Sequence, residues 1–425
     1  MELLLTNMRA AYPGVNGTVP IDIAIDKGRI VQVASGIKAD AQRVIDGHGK
    51  LVVFPGLVDM HVHLRDPGFT HKEDILTGTE AAKAGGFTTI ACMPNTNPPI
   101  DNPEVLSYVL NKAKSTGVKV MPVACITKGM KGEELIDFWQ IKNGGAIAVS
   151  DDGRPVENAE MMRQAVIKAY QNNMPIISHC EDLRIINGGI INDGKVSAEL
   201  GIKGMNRASE DYITAREITL AMSSNCAIHI AHVSTEGSVK IIRAAKKDGV
   251  KVTCETCPHY FTYTDEMVRT LDADYRMNPP LREERDRLAI ERAVIDGTID
   301  CIVTDHAPHT AQEKADFYKA PNGVVGLETS FAATLTRLYH TEKVGLDRIA
   351  ELMSLSPRRI LGMDMVTFSS GSVADLTIAD VDYEWTVEPK KLHSKSKNSV
   401  FKGEFLKGKP VFTIADGKII YEYQL

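Results

Sequence analysis

The strongest constraint on this chain is an alternation repeated through its middle. A short apolar run ends at a polar residue, and a helical segment follows. Candidate strands end near His63, Asn95, Ile126, Asp152, His179, His232, His259 and Asp305. Between them, Asn158–Asn173, Ser209–Ser224, Glu236–Asp248 and Arg285–Asp296 carry apolar residues at spacings of three and four, the period of an amphipathic helix. About eight such units predict an α/β chain folded as a (β/α)8 TIM barrel. A doubly wound open sheet is the alternative. No Gly-x-Gly-x-x-Gly follows an early strand, which weakens its dinucleotide-binding version.

The chain ends read differently. Ile21-Asp22-Ile23-Ala24-Ile25-Asp26 alternates, Lys27-Gly28 turns, and Ile30–Val33 resumes. Asp375–Ala379, Val411–Ala415 and Lys418–Tyr421, with Asp416-Gly417 as a turn, repeat that pattern. One small β-rich domain formed by both chain ends is expected, from residues 1–54 and 365–425, around a barrel of residues 55–364. At 425 residues and 43% hydrophobic, the chain is long enough for both.

Charge excludes some partners. A net charge of -6 provides no field for nucleic acid or acidic lipid. No apolar stretch suits a bilayer span. Met1–Asn7 lacks a basic region followed by a long apolar core, so no export signal is expected, and the seven cysteines fit a reducing cytoplasm. Cys254-x-x-Cys257 has no second cysteine pair and reads as core thiols.

The chemistry gathers at predicted strand ends, where barrels of this kind place it. His61-Val62-His63 follows the run Leu51–Met60, and alternation turns both imidazoles to one side. Asp151 and Asp152, His179, His232 and Asp305 follow later runs. Four histidines and two or three carboxylates meeting at one mouth form the donor set of a two-metal site. Without a cation, like-charge and desolvation costs would oppose the cluster. Asp152 shares a face with Ser150 and Ala148, whereas Asp151 shares one with Val149 and Ile147, so Asp152 is the inward carboxylate. His48, His229, His340 and His393 read as ordinary histidines, and His259 is left unassigned.

Several segments resemble the cyclic amidohydrolases, and among them the dihydroorotases of the long bacterial type. They are Pro55–Gly68, Met93-Pro94-Asn95-Thr96, Ser150-Asp151-Asp152-Gly153, His179-Cys180-Glu181-Asp182, His232-Val233-Ser234, Asn278–Arg282, Thr304–His309, Ala320-Pro321-Asn322-Gly323 and Gly326–Thr329. The resemblance covers essentially the whole chain. It implies a zinc-dependent, reversible interconversion of N-carbamoyl-L-aspartate and L-dihydroorotate in pyrimidine biosynthesis. It also implies two zinc ions per subunit, one held by His61, His63, Asp152 and Asp305, the other by Asp152, His179 and His232. An aspartate bridges the metals in this subgroup, where related hydantoinases and other dihydroorotases use a carbamylated lysine. The chain offers Asp152 and no lysine at that strand end, and Lys72 and Lys83 read as solvated.

In that setting Asp305 is the expected proton shuttle. Arg65, two residues past His63, suits the substrate carboxylate. His63, Asn95 and His309 are further substrate contacts, and Asn278 with the Asn322-Gly323 backbone would read the ring's amide edges. The polar stretch 310–320 reads either as a mobile flap over the site or as a solvated loop or short helix. A homodimer, and association with aspartate transcarbamoylase, are also implied. Two alternatives remain: a dihydropyrimidinase, hydantoinase or allantoinase acting on a neutral ring, and a catalytically silent partner of the transcarbamoylase.

Overall fold

The computed structural model describes residues 1–12 and 17–424. Eight parallel strands form the barrel: Leu57–Val62, Phe87–Cys92, Lys119–Ala124, Ala148–Val149, Ile177–Ser178, Ile228–Ile230, Val252–Thr256 and Cys301–Ile302. They pair in two groups of four. Parallel bridges close the ring, Val149 to Ile176 on one side and Val62 to His306 on the other. The His63 amide seals the second seam by donating to the His306 carbonyl at 2.8 Å.

The four predicted helices form at Ala159–Gln171, Ala208–Ser224, Glu236–Lys247 and Glu284–Asp296. Two have explicit starts. Asn158 Oδ1 accepts from the Met161 amide, and the Thr235 side chain accepts from the Ser238 amide. Each cap satisfies a donor that the first helical turn leaves free, worth about 1 kcal/mol. Inward positions such as Met162, Val166, Val239 and Ile242 pack on the strands. Burying a side chain of this size contributes about 1.5–3 kcal/mol.

Both chain ends build a second sheet. Its order is Lys418–Glu422, Phe405–Ala415, Leu376–Thr386, Val52–Pro55, Leu3–Ala10, Val19–Asp26 and Arg29–Ala34, with Arg43–Asp46 also paired to Leu3–Ala10. It has its own core, including Leu5, Ile23, Val53, Leu376 and Ile414. The run Leu51–Met60, expected as one strand, is therefore two. Val52–Pro55 pairs antiparallel with Leu376–Ala379, while Leu57–Val62 opens the barrel. Gly56 lies at the break because a Cβ there would meet Thr88 Oγ1 at 2.5 Å. Hydropathy could not reveal the division, since both halves are fully buried. No helix among the described residues is long and apolar enough to cross a membrane.

Candidate metal centre and substrate cleft

The carboxyl ends of the strands bring the predicted ligand set together. His61 Nε2 lies 3.3 Å from Asp152 Oδ1 and 3.6 Å from Asp305 Oδ1. His63 Nε2 lies 3.4 Å from Asp152 Oδ2 and 3.0 Å from Asp305 Oδ1. On the other side of Asp152, His179 Nδ1 and His232 Nε2 are each 3.5 Å from Oδ1. The carboxylate of Asp152 thus stands between two pairs of imidazoles. Asp151 points away, accepting from the Ile126 and Thr127 amides at 2.7 and 3.1 Å, as strand alternation requires.

Neighbours set the ring orientations. His63 Nδ1 donates to Asn95 Oδ1 at 2.8 Å, and His61 Nδ1 faces Glu255 Oε1 at 2.6 Å. Both leave Nε2 turned to the carboxylates. Burial pushes the Asp152 carboxyl up, but His61, His179 and His232 outweigh that and hold it well below the usual range. Asp305 is likewise held down, by His63 above all, against desolvation. His61 Nε2 and Asp152 Oδ1 are buried and have no hydrogen-bond partner among the described residues. Orphaned acceptor-type atoms this close together suit a cation. His61, His63 and Asp305, and separately His61, Asp152 and His232, have ligand atoms mutually within 4.8 Å. These donors fit a divalent metal.

Two of these side chains sit on strained backbone, with φ of +32° at His232 and +47° at Asp305, and Arg65 joins them at +59°. Non-glycine residues held in the left-handed region cluster where position matters more than local comfort.

A cleft of about 220 Å³ opens above the cluster. It is lined by His63, Arg65, Asn95, Asn278, His309, Asn322 and Gly323, the full set of expected substrate contacts, together with Asp152, His179, His232 and Asp305. A larger cleft of about 340 Å³ lies at the amino ends of the strands, by Pro175, Ile228 and Leu361. Parallel barrels do their chemistry at the carboxyl ends, so the smaller cleft is the candidate.

Its polar edges are directional. Asn95 spends its oxygen on His63, which leaves its NH2 to donate. Asn278 Nδ2 donates to Glu181 Oε1 at 2.8 Å, which leaves its oxygen to accept. Arg65 is half-buried and, among the described residues, has no carboxylate within salt-bridge distance. Desolvation lowers its pKa to about 10, so it stays charged at neutral pH. His309 Nε2 donates to the Asn322 carbonyl at 2.9 Å, and its Nδ1 accepts from Lys72 at 3.3 Å.

Several expectations need correction. Lys72 and Lys83 are not freely solvated. Lys72 pairs with Glu313 at 2.8 Å beside the cleft, and Lys83 is buried against Glu80. The Asn322-Gly323 backbone lines the cleft, but the Gly323 amide already donates to the Arg276 carbonyl and its carbonyl accepts from Asn398. Gly323 is required there for space, because a Cβ would meet Ala307 Cβ at 2.7 Å. The 310–320 segment exposes Ala311, Gln312, Ala315, Asp316, Tyr318 and Lys319, as a solvated loop would, but it is anchored from within. Lys314 Nζ reaches the carbonyls of Ala273, Arg276 and Pro321 at 2.9–3.1 Å, and Phe317 is buried.

Three supporting residues escaped the sequence reading. Glu255 stands one place before the end of its strand and Glu181 three places past the end of its own, and a carboxylate inside or just past an apolar run was the available signal. Asn398 fixes the His309 amide and the Gly323 carbonyl, at 3.2 and 3.0 Å. It lies in a polar stretch far along the chain, and no sequence feature marks it.

Comparison with known proteins agrees with this geometry. A family profile described as Dihydro-orotase-like matches residues 49–238. The chain is 49% identical over 425 residues to the dihydroorotase of Citrifermentans bemidjiense, covering 99% of this chain and 100% of that one. It is 50% identical to that of Geobacter metallireducens, with the same coverage. Among solved structures, an L-hydantoinase (dihydropyrimidinase) from Arthrobacter aurescens superposes with a TM-score of 0.90 at 25% identity, covering 99% of this chain and 96% of that one. A dihydropyrimidinase from Brevibacillus agri gives 0.86 at 20% identity, a likeness of fold. Near-half identity along the full length places the chain in the dihydroorotase family.

Proposed function

We propose that the chain is a cyclic amide hydrolase that interconverts N-carbamoyl-L-aspartate and L-dihydroorotate. The observation that carries this reading is Arg65, a guanidinium that touches the Pro308 carbonyl and His309 but, among the described residues, no carboxylate, and that lines the same cleft as the metal-ligand cluster. A substrate carboxylate would answer that charge, and its planar fork suits a bidentate pair. A neutral hydantoin or dihydrouracil ring leaves it unanswered. The aspartate at the bridging position, with no lysine there, supports the same choice.

In this reading His61, His63, Asp152 and Asp305 would hold one zinc ion, and Asp152, His179 and His232 would hold a second. When bound, such a pair supplies an activated hydroxide near neutral pH and polarises the carbonyl under attack. The remaining work belongs to side chains. Arg65 and the Asn95 amide group hold the carboxylate end, and His309 lines the cleft beside them with both ring nitrogens engaged. Asn278 Oδ1 accepts from a ring N–H, its orientation fixed by Glu181. His63 packs at the cleft floor beside Asp305. Asp305 takes the proton released on attack and hands it to the ring nitrogen as the C–N bond breaks, and ring closure reverses these transfers.

The division at residues 54 and 365 belongs to the same reading, with Asn398, between the strands Leu376–Thr386 and Phe405–Ala415, reaching the cleft-lining His309 and Gly323. The family resemblance is the ground for a homodimer, for possible contact with aspartate transcarbamoylase and for work in the cytoplasm. The deciding experiment assays carbamoyl aspartate, hydantoin and dihydrouracil side by side. Turnover of the first should exceed the other two by orders of magnitude. Preference for a neutral ring would refute the assignment, and a metal-loaded protein inert on all three would favour the silent partner.

A further inference from the structure

Beneath the metal cluster lies a buried polar chain that the chemistry above does not use. Glu255, on the strand Val252–Thr256, has no solvent exposure. Its Oε1 is 2.6 Å from His61 Nδ1 and its Oε2 is 3.1 Å from His229 Nε2. His229 Nδ1 is 2.8 Å from Thr253 Oγ1. Alternation places Thr253 and Glu255 on one face of their strand, and His229 pairs in register with Thr253 from the strand beside it.

The donors in this chain can be assigned. A carboxylate only accepts, so His61 donates through Nδ1–H and His229 through Nε2–H. His229 Nδ1 is then the acceptor for the Thr253 hydroxyl. Each polar atom along the chain has a partner, and the arrangement ends on one lone pair, at His61 Nε2. That atom faces Asp152 and Asp305 and has no hydrogen-bond partner among the described residues. His229, Glu255 and Cys301 also lie close enough to hold a metal. Both Glu255 oxygens and both His229 nitrogens are already engaged, which argues against a separate ion there.

We propose that Glu255, backed by His229 and Thr253, is a positioning residue that locks His61 in the Nδ1–H tautomer and aims its bare Nε2 at the cation site. This rests on the reading of the His61 cluster as a metal centre. Outer partners of a ligating histidine fix its ring and raise its basicity, and losing one typically costs 10- to 100-fold in metal affinity or activity.

The test measures zinc affinity by chelator competition, together with thermal unfolding of the metal-free protein, for wild type, Glu255→Gln, His229→Leu and His229→Gln. Glu255→Gln should weaken zinc binding about 10- to 100-fold while metal-free unfolding changes little. His229→Leu should weaken binding by a smaller factor. His229→Gln, whose amide still donates to Glu255, should restore it. The imidazole ¹⁵N spectrum of the zinc-loaded wild type should show His61 protonated at Nδ1, and it decides the matter even if Glu255→Gln fails to fold. Unchanged zinc affinity in Glu255→Gln, or a proton on His61 Nε2, would overturn the proposal while leaving the metal centre intact. A purely structural Glu255 would lower metal-free unfolding and spare zinc affinity. A wild type that binds no zinc would overturn the metal reading and this inference with it.

Discussion

Asp152 Oδ1 and His61 Nε2 face each other at 3.3 Å, both buried and neither hydrogen-bonded among the described residues. Two acceptor-type atoms do not rest there at no cost, since an unmet buried polar group costs about 1–3 kcal/mol. A cation between the imidazole pairs would remove that cost, which is the ground for reading these donors as a ligand set.

Arg65 sets substrate choice in this account. Arg65→Met should raise KM for carbamoyl aspartate about 10- to 100-fold, the loss expected when a charge-assisted contact is removed. Steady-state kinetics in the ring-closing direction measure it. An unchanged KM would remove the reason for preferring an anionic substrate.

Asp305 lies 3.0 Å from His63 Nε2 and faces the cleft. Asp305→Asn should lower turnover by about 10²- to 10⁴-fold, the usual share of a general acid–base group. Metal content measured on the same sample separates proton transfer from ligand loss. Near-normal turnover with both metals bound would exclude the shuttle role.

His309 yields a stability prediction with a defined sign. Desolvation, joined by Arg65, Lys72 and Lys314, pushes its pKa down to about 2. The folded state therefore keeps it neutral while the unfolded chain protonates it near 6.5. Its contribution is complete above the unfolded value and is lost as pH falls from about 6.5 toward 2, at no more than about 1.4 kcal/mol per pH unit. Urea denaturation at pH 7 and pH 5 should show a smaller acid loss in His309→Gln than in wild type. Equal losses would mean that the imidazole already carries charge in the fold.

Much of this was readable from the chain because strand ends of a barrel advertise themselves: an apolar run stops and a ligand-type residue follows. His179 and His232 are found that way, and Asp152 is separated from Asp151 by parity alone. The run Leu51–Met60 misleads because Val52–Pro55 and Leu57–Val62 are equally buried in different sheets. Lys72 misleads because its partner Glu313 is distant in sequence. Asn398 is silent for the same reason: its contacts at His309 and Gly323 are long-range, and its own neighbours are ordinary polar residues.

The most direct test is metal analysis of purified, active protein, with carbamoyl aspartate cyclisation assayed on the same sample before and after exhaustive chelation. Two divalent ions per chain are predicted, with activity lost as they leave and regained when zinc is returned. Full activity in protein stripped of metal would contradict the account.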